Sequence, residues 1–394
     1  MTYRKSHSRV LSCLFAFTLA VAVTASASHE KILRAFTTNP VEFPSSGLIS
    51  DPSGNLFGVL QGAVYELSPS ASGGYTFHVI STLIDVGTYA AGNLVRDDAG
   101  NLFGSTRGGG LNGCGYIFEL SPPASGLWTL TTLHDFDCTD GQTAGMTMAR
   151  DVNGNLFGAT QVGGTLDQGV VYELSPGPGG TWTYQVLHNF AYFAEGGSPE
   201  AGVVLDSNGN LYGPNNNGIY KLTPGAGGTW TESAAYTFNS ATDGDNPHGD
   251  LIFDSSGNLY GTNTTGGLYG NGTVFELSPA SGGGWTVTVL YNFFGSDGAL
   301  PAGGVIRDGA GNLYGTTQFG GAPNNAGTVF KLALVGGVWQ KIILYRFGGV
   351  ANSDGSIPNS SLYLNSKKLF GTTPVGGNAG CNSGAGCGTV FVIH

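Results

Sequence analysis

Gly257-Asn258-Leu259-Tyr260-Gly261 is one of six copies of a Gly-Asn-Leu-(Phe/Tyr)-Gly string in this chain of 394 residues. The others begin at Gly54, Gly100, Gly154, Gly209 and Gly311, and an altered seventh copy is Lys367-Lys368-Leu369-Phe370-Gly371. A recurrence of about fifty residues is the mark of a tandem-repeat fold. Just before the Gly257 copy, Leu251-Ile252-Phe253 is a short apolar strand (A) that ends in Asp254-Ser255-Ser256-Gly257. That is hairpin chemistry, because Asp bonds the backbone ahead of it and Gly accepts a left-handed conformation. Asn258 to Thr262 is a second strand (B), followed by a glycine-rich loop. Thr273-Val274-Phe275-Glu276-Leu277 alternates as a third strand (C). After a second turn, Trp285, Val287, Val289, Tyr291 and Phe293 read as one face of a fourth strand (D). No helical period appears.

A single four-stranded sheet has two faces to bury. Strand A is apolar at adjacent positions, as in Val203-Val204 and Val305-Ile306, which is how a strand covered on both faces reads. Sheets stacked face to face around an axis, with A innermost, satisfy this, and the fold class expected is an all-β, seven-bladed β-propeller. The ends of the chain support seven blades. Ile32 to Phe36 has the character of a D strand, and the last repeat stops after a C strand, Gly388 to Phe391. Pairing the two closes the ring and hides both sheet edges.

Residues 1–27 read as a secretory signal peptide, with Arg4, Lys5 and Arg9 ahead of an apolar run and Ala25-Ser26-Ala27 as the cleavage site. Residues 28–394 are expected to be a single propeller domain, secreted or periplasmic, monomeric and without a membrane span. The C-terminus shows no hydrophobic tail. The formal charge is −11, and it falls to −14 once residues 1–27 are removed. Such an acidic chain lacks the basic footprint that nucleic acid demands.

Four cysteines remain after cleavage, an even number suited to an oxidising compartment. Cys114 lies in a B–C loop and Cys138 in the following D–A loop, and these loops emerge on the same face of an up-and-down blade. A Cys114–Cys138 bridge is therefore expected. Cys387 occupies the position of Cys114 in the last repeat, but Thr38 stands where its Cys138 equivalent would be, so Cys381 is the expected partner.

Most candidate chemistry reads as architecture. The Asp ending strand A recurs in nearly every blade and is a turn residue. His134 and His188 fill a slot held elsewhere by Tyr236, Tyr291 and Tyr345, a packed aromatic position. His248 shows no partner at useful spacing. No catalytic residue and no cofactor are assigned. Calcium is the one ion suggested, where Asp243, Asp245 and Asp250 cluster, although a calcium site needs six or more oxygens. The B–C/D–A face has uneven loops, and loops on a rigid scaffold carry function. Its clearest departures from the repeat are the insertion Ala191-Tyr192-Phe193-Ala194 with Glu195 and Glu200, making Tyr192, Glu195 and Glu200 the ligand-binding candidates.

The segments GTVFELSP, GGGWTVTVLYNF and GNLYGTT resemble the Gloeo/Verruco (GloVer) tandem repeat of exported bacterial proteins, often labelled "choice-of-anchor". The resemblance covers residues 31 to 394. It implies an exported or surface propeller and brings no catalytic residue with it. Three readings follow. The first is a non-catalytic binding module for an extracellular glycan, peptide or protein. The second is a structural surface or matrix component, and the third an enzyme acting on an extracellular polysaccharide. An enzyme requires singular polar residues converging on one end of the channel.

Overall fold

A computed structural model describes residues 30–37, 43–83, 90–124, 127–191, 196–349 and 353–394. Within them, seven antiparallel sheets with four principal strands each form a seven-bladed propeller. Blades 1 to 6 span 49–82, 90–135, 149–189, 204–237, 245–292 and 306–346. Blade 7 takes Tyr363–Asn365, Lys368–Thr373 and Thr389–Ile393 from the C-terminal end and Glu30–Ala35 from the N-terminal end. Glu30 pairs with Ile393 and Ala35 with Thr389, so the ring closes by the strand exchange that the sequence implies. Blade 5 carries a fifth strand, Asp245–Pro247. The expected signal peptide lies outside the described residues. Among those that are described, no helix is long and apolar enough to cross a membrane.

The repeated pentapeptide has two distinct jobs. Its first glycine turns the A–B hairpin, with Gly257 at φ +82°. Asp254 fixes that hairpin by accepting from the Asn258 backbone N–H at 2.9 Å and from Asn258 Nδ2 at 3.0 Å. Its last glycine lets strand C's aromatic lie flat across strand B. A Cβ at Gly261 would sit 2.6 Å from Phe275 Cζ, closer than any real contact allows.

Strand D departs from the simple alternation read from sequence. Val289 pairs with Phe275, but Tyr291 pairs with the adjacent Val274, so Leu290 is a β-bulge. All seven D strands bulge at the equivalent place, including the N-terminal one between Ile32 and Arg34. One extra residue reverses which face the following side chains take. Trp285 and Val287 therefore pack toward blade 4, whereas Leu290, Tyr291 and Phe293 pack toward blade 6. Phe293 meets Phe330 of blade 6 with ring centroids 5.2 Å apart. Each D strand thus holds both neighbours. The apolar core is accordingly divided into seven clusters, each sandwiched between two successive blades, with the seventh joining blade 7 to blade 1.

Strand A is shorter than its apolar run suggests. It pairs over only two residues in blades 1, 3, 4, 5 and 6. Upstream of the pairing, one residue is buried between blades, as Leu251, Val203 and Val305 are, and those before it turn to the axis.

Candidate functional site

The residues ahead of strand A line the central channel in layers. Four positions before the hairpin Asp, or its equivalent, the seven blades contribute Gly47, Asn93, Thr147, Gly202, Asp250, Gly304 and Ser361. Asp250 is the only charge in this layer, and it acts as the hub. Its Oδ2 accepts from Asn93 Nδ2 at 3.0 Å and from Thr147 Oγ1 at 2.9 Å. The Gly202 N–H and the Ser361 hydroxyl also hydrogen-bond to this carboxylate. Asn93 Oδ1 accepts in turn from the Gly47 N–H at 2.7 Å. Six blades are tied through one carboxylate and one amide. Burial pushes the Asp250 carboxyl above the ordinary carboxylate range, and the hydrogen bonds from Thr147 and Gly202, with the nearby His248, pull it back.

Two positions further out, on the B–C/D–A side, the same strands contribute Ser45, Ala91, Gly145, Glu200, His248, Ala302 and Asn359. Glu200 of blade 4 and His248 of blade 5 are neighbours here, with Oε2 and Nε2 3.7 Å apart. Gln161 of blade 3 donates to the same Glu200 oxygen at 3.2 Å. Arg107, from the B–C loop of blade 2, completes the rim and forms no ion pair among the described residues. The cavity so enclosed is about 150 Å³. It offers a cationic donor, an acid beside an imidazole, and a carboxylate floor. The B–C loops of the same face also carry exposed apolar tips, Leu111, Leu166, Leu268 and Tyr269, of which Leu111 and Leu268 lie beside the ends of the outer D strands.

Of the ligand-binding candidates, Glu200 sits at this channel mouth. Tyr192 and Glu195 lie outside the described residues. The three calcium candidates are separately employed. Asp243 accepts from the Tyr236 hydroxyl at 2.9 Å and from the Asn239 N–H at 3.0 Å, Asp245 caps Asn246 N–H at 2.9 Å, and Asp250 holds the channel. No group of three His, Cys, Asp or Glu side chains suited to a metal occurs among the described residues. Asp243 belongs to a repeated device, because the Asp-Gly aspartates accept from the aromatic slot of strand D. The other pairs are Asp297 with Tyr291 at 2.6 Å, Asp354 with Tyr345 at 2.9 Å and Asp140 with His134 at 2.8 Å. His134 also stacks on Tyr184 at 3.7 Å, in keeping with a packed aromatic position. Both disulfides form, Cys114–Cys138 and Cys381–Cys387, with Cα atoms 5.4 and 5.6 Å apart.

In sequence His248 has no partner at useful spacing, and the structure corrects that reading. Its partner Glu200 is 48 residues away but occupies the equivalent position in the next blade. Aligning the repeats at the hairpin Asp brings out both polar layers as columns. Arg107 and Gln161 share a column of their own, three residues past the second glycine of the repeated string, where blades 1 and 6 carry Gln61 and Gln318.

A family model described as the Gloeobacter/Verrucomicrobia repeat matches residues 13–218 and 214–394. No curated protein matches the chain in sequence. Among solved structures, a streptogramin B lyase is similar with a TM-score of 0.57 at 16% identity, over 93% of this chain and 97% of its own. The virginiamycin B lyase of Staphylococcus aureus gives 0.56 at 12% identity, over 93% and 98%. A chain of a mitotic checkpoint complex gives 0.57 at 12% identity, over 98% and 99%. At such identities the likeness is one of fold alone.

Proposed function

The chain belongs to the Gloeobacter/Verrucomicrobia repeat family, and on that premise we propose that it is an exported binding propeller that presents its B–C/D–A face to an extracellular glycan, peptide or protein. One observation carries the reading: Arg107, Glu200 and His248 come from three different blades, break the repeat, and meet at one end of the channel. Many residues that hold the ring recur from blade to blade, as the hairpin aspartates do, and the singular Asp250 has its carboxylate taken up by donors from the other blades. A cluster present once is suited to one ligand group. The cavity of about 150 Å³ suits a single sugar ring or a chain terminus, and the exposed loop tips of the same face offer contact area to a larger partner. The two disulfides accord with an oxidising compartment and residues 1–27 with an export signal.

The enzymatic reading draws on the same convergence, and in particular on the Glu200–His248 pair, an acid–base couple in the cavity that Arg107 also lines. Two propellers of the same fold are named as lyases, but that likeness does not extend to residues. An array of glycans and peptides probed with the purified protein separates the readings. Binding lost in Arg107→Ala and His248→Ala supports the binding module. Turnover of the bound compound, lost in Glu200→Gln, promotes the enzyme. Binding that survives all three substitutions refutes the channel mouth as the site.

A further inference from the structure

On the face opposite the channel mouth, the A–B hairpins of blades 4 and 5 and the C–D turn of blade 5 enclose a groove of about 580 Å³. Its framework is general. At successive junctions a strand B aromatic meets the tryptophan that opens the next blade's strand D, as in Phe57–Trp128 and Phe103–Trp182, both 5.7 Å between centroids. The blade 4/5 junction changes this framework. The residue ending strand A is Phe253, where the other blades carry Ser50, Arg96, Arg150, Leu205, Arg307 and Leu364. The strand C position facing the groove is Lys221, where blades 1, 2, 3 and 5 carry Glu66, Glu119, Glu173 and Glu276 and only blade 6 has another lysine, Lys331, so the groove is set apart by Phe253 together with this lysine. Strand B supplies Tyr212.

Three rings consequently gather in one place. Tyr212 lies 5.4 Å from Phe253 and 5.6 Å from Trp285, and Phe253 lies 6.5 Å from Trp285. Phe253 and Trp285 keep part of their surface in contact with solvent. Lys221 Nζ stands 5.7 Å from the Tyr212 centroid and forms no ion pair among the described residues. Exposed Ser207, Asn208 and Ser255 form the rim.

We propose that this groove binds a pyranose residue of a neutral glycan, at a site separate from the channel mouth. A pyranose presents an apolar C–H face suited to aromatic side chains and an edge of hydroxyls suited to polar ones. Phe253 and Trp285 take the first, and Lys221 with the serine and asparagine rim takes the second. The charges select neutrality. Asp206 and Asp254 flank the groove, which disfavours an anion, and Lys221 within it disfavours a quaternary ammonium. Both aspartates are already engaged by their hairpins, Asp206 accepting from Asn208 N–H at 2.9 Å and Asn210 Nδ2 at 2.7 Å. They shape the field without being free to ligate.

Isothermal titration of the purified protein with cellohexaose, xylohexaose, mannohexaose and laminarihexaose tests this. At least one is expected to bind saturably. Phe253→Ser and Lys221→Glu install the residues that blade 1 carries at the same positions, Ser50 and Glu66. At least one of these variants is expected to weaken binding by about tenfold or more, with melting temperature retained. Heat from none of the four oligosaccharides overturns the proposal, as does binding that both groove variants leave untouched. Loss of binding in His248→Ala, with both groove variants at full strength, assigns the sugar to the channel mouth and also overturns the groove. Binding confined to the groove supports this inference whatever becomes of the channel-mouth reading.

Discussion

Thr147 of blade 3 donates its hydroxyl proton to Asp250 of blade 5 at 2.9 Å, across 103 residues of sequence and the axis of the ring. Asn93 of blade 2 reaches the same oxygen at 3.0 Å. The carboxylate works as a keystone, holding donors that no local structure satisfies. Asp250→Ala leaves those donors facing each other, and the expected loss is about 2–3 kcal/mol of stability by denaturant unfolding. Because Thr147 shares the network, the cost of Thr147→Val in the Asp250→Ala background should shrink by about 1 kcal/mol. Strictly additive losses would show that the two residues act apart.

Glu30 gives the ring closure a pH dependence. It lies on the N-terminal strand of blade 7, near Asp354 and Tyr345, with Oε1 buried and unpartnered among the described residues. Burial, and secondarily the Asp354 charge, raise its carboxyl from 4.5 to about 7. A folded-state value above the unfolded one means that the native protein holds the proton more tightly. The stability this contributes is present below about pH 4.5 and is lost as pH rises through about 7. Glu30→Gln should therefore match the parent at pH 4.5 and exceed it at pH 8 by about 1–2 kcal/mol, after discounting for contact with water. Parallel curves for the two proteins would contradict this account.

The Cys114–Cys138 bridge ties the B–C loop of blade 2 to the chain leading into blade 3, closing a separation of 24 residues. Chain-entropy reasoning assigns a loop of this size about 3 kcal/mol. Cys381–Cys387 closes only 6 residues and constrains less. Melting of Cys114→Ser/Cys138→Ser should fall well below that of Cys381→Ser/Cys387→Ser. The reverse order would place the main constraint at the C-terminal loop.

Tyr220 is fully buried and its hydroxyl has no hydrogen-bond partner among the described residues. Blades 2, 5, 6 and 7 carry phenylalanine there: Phe118, Phe275, Phe330 and Phe391. Removing a buried, unsatisfied hydroxyl while keeping the ring is expected to change stability by 0 to about +1 kcal/mol. A loss above about 1 kcal/mol in Tyr220→Phe would reveal a partner for the hydroxyl.

The sequence alone determined the blade. Asp254 and Gly257 act within their own hairpin and Gly261 against Phe275 of its own blade, so hairpin, strand and turn recur wherever the string recurs. The count of strands then implied a ring, because a spare D strand at one end matched a missing one at the other. The D-strand bulge was beyond reach, since Leu290 breaks the alternation only through its register against Phe275 and Val274. The candidate site was visible in fragments. Glu200 departs from the repeat in sequence, and Asp250 has acidic neighbours in sequence, Asp243 and Asp245, which the fold sends elsewhere. Glu200 with His248, and Asp250 with Asn93 and Thr147, meet because seven blades bring equivalent positions to one axis. Tertiary structure decided that convergence, for the physical reason that ring closure sets those distances and residues far apart in sequence carry no local trace of it.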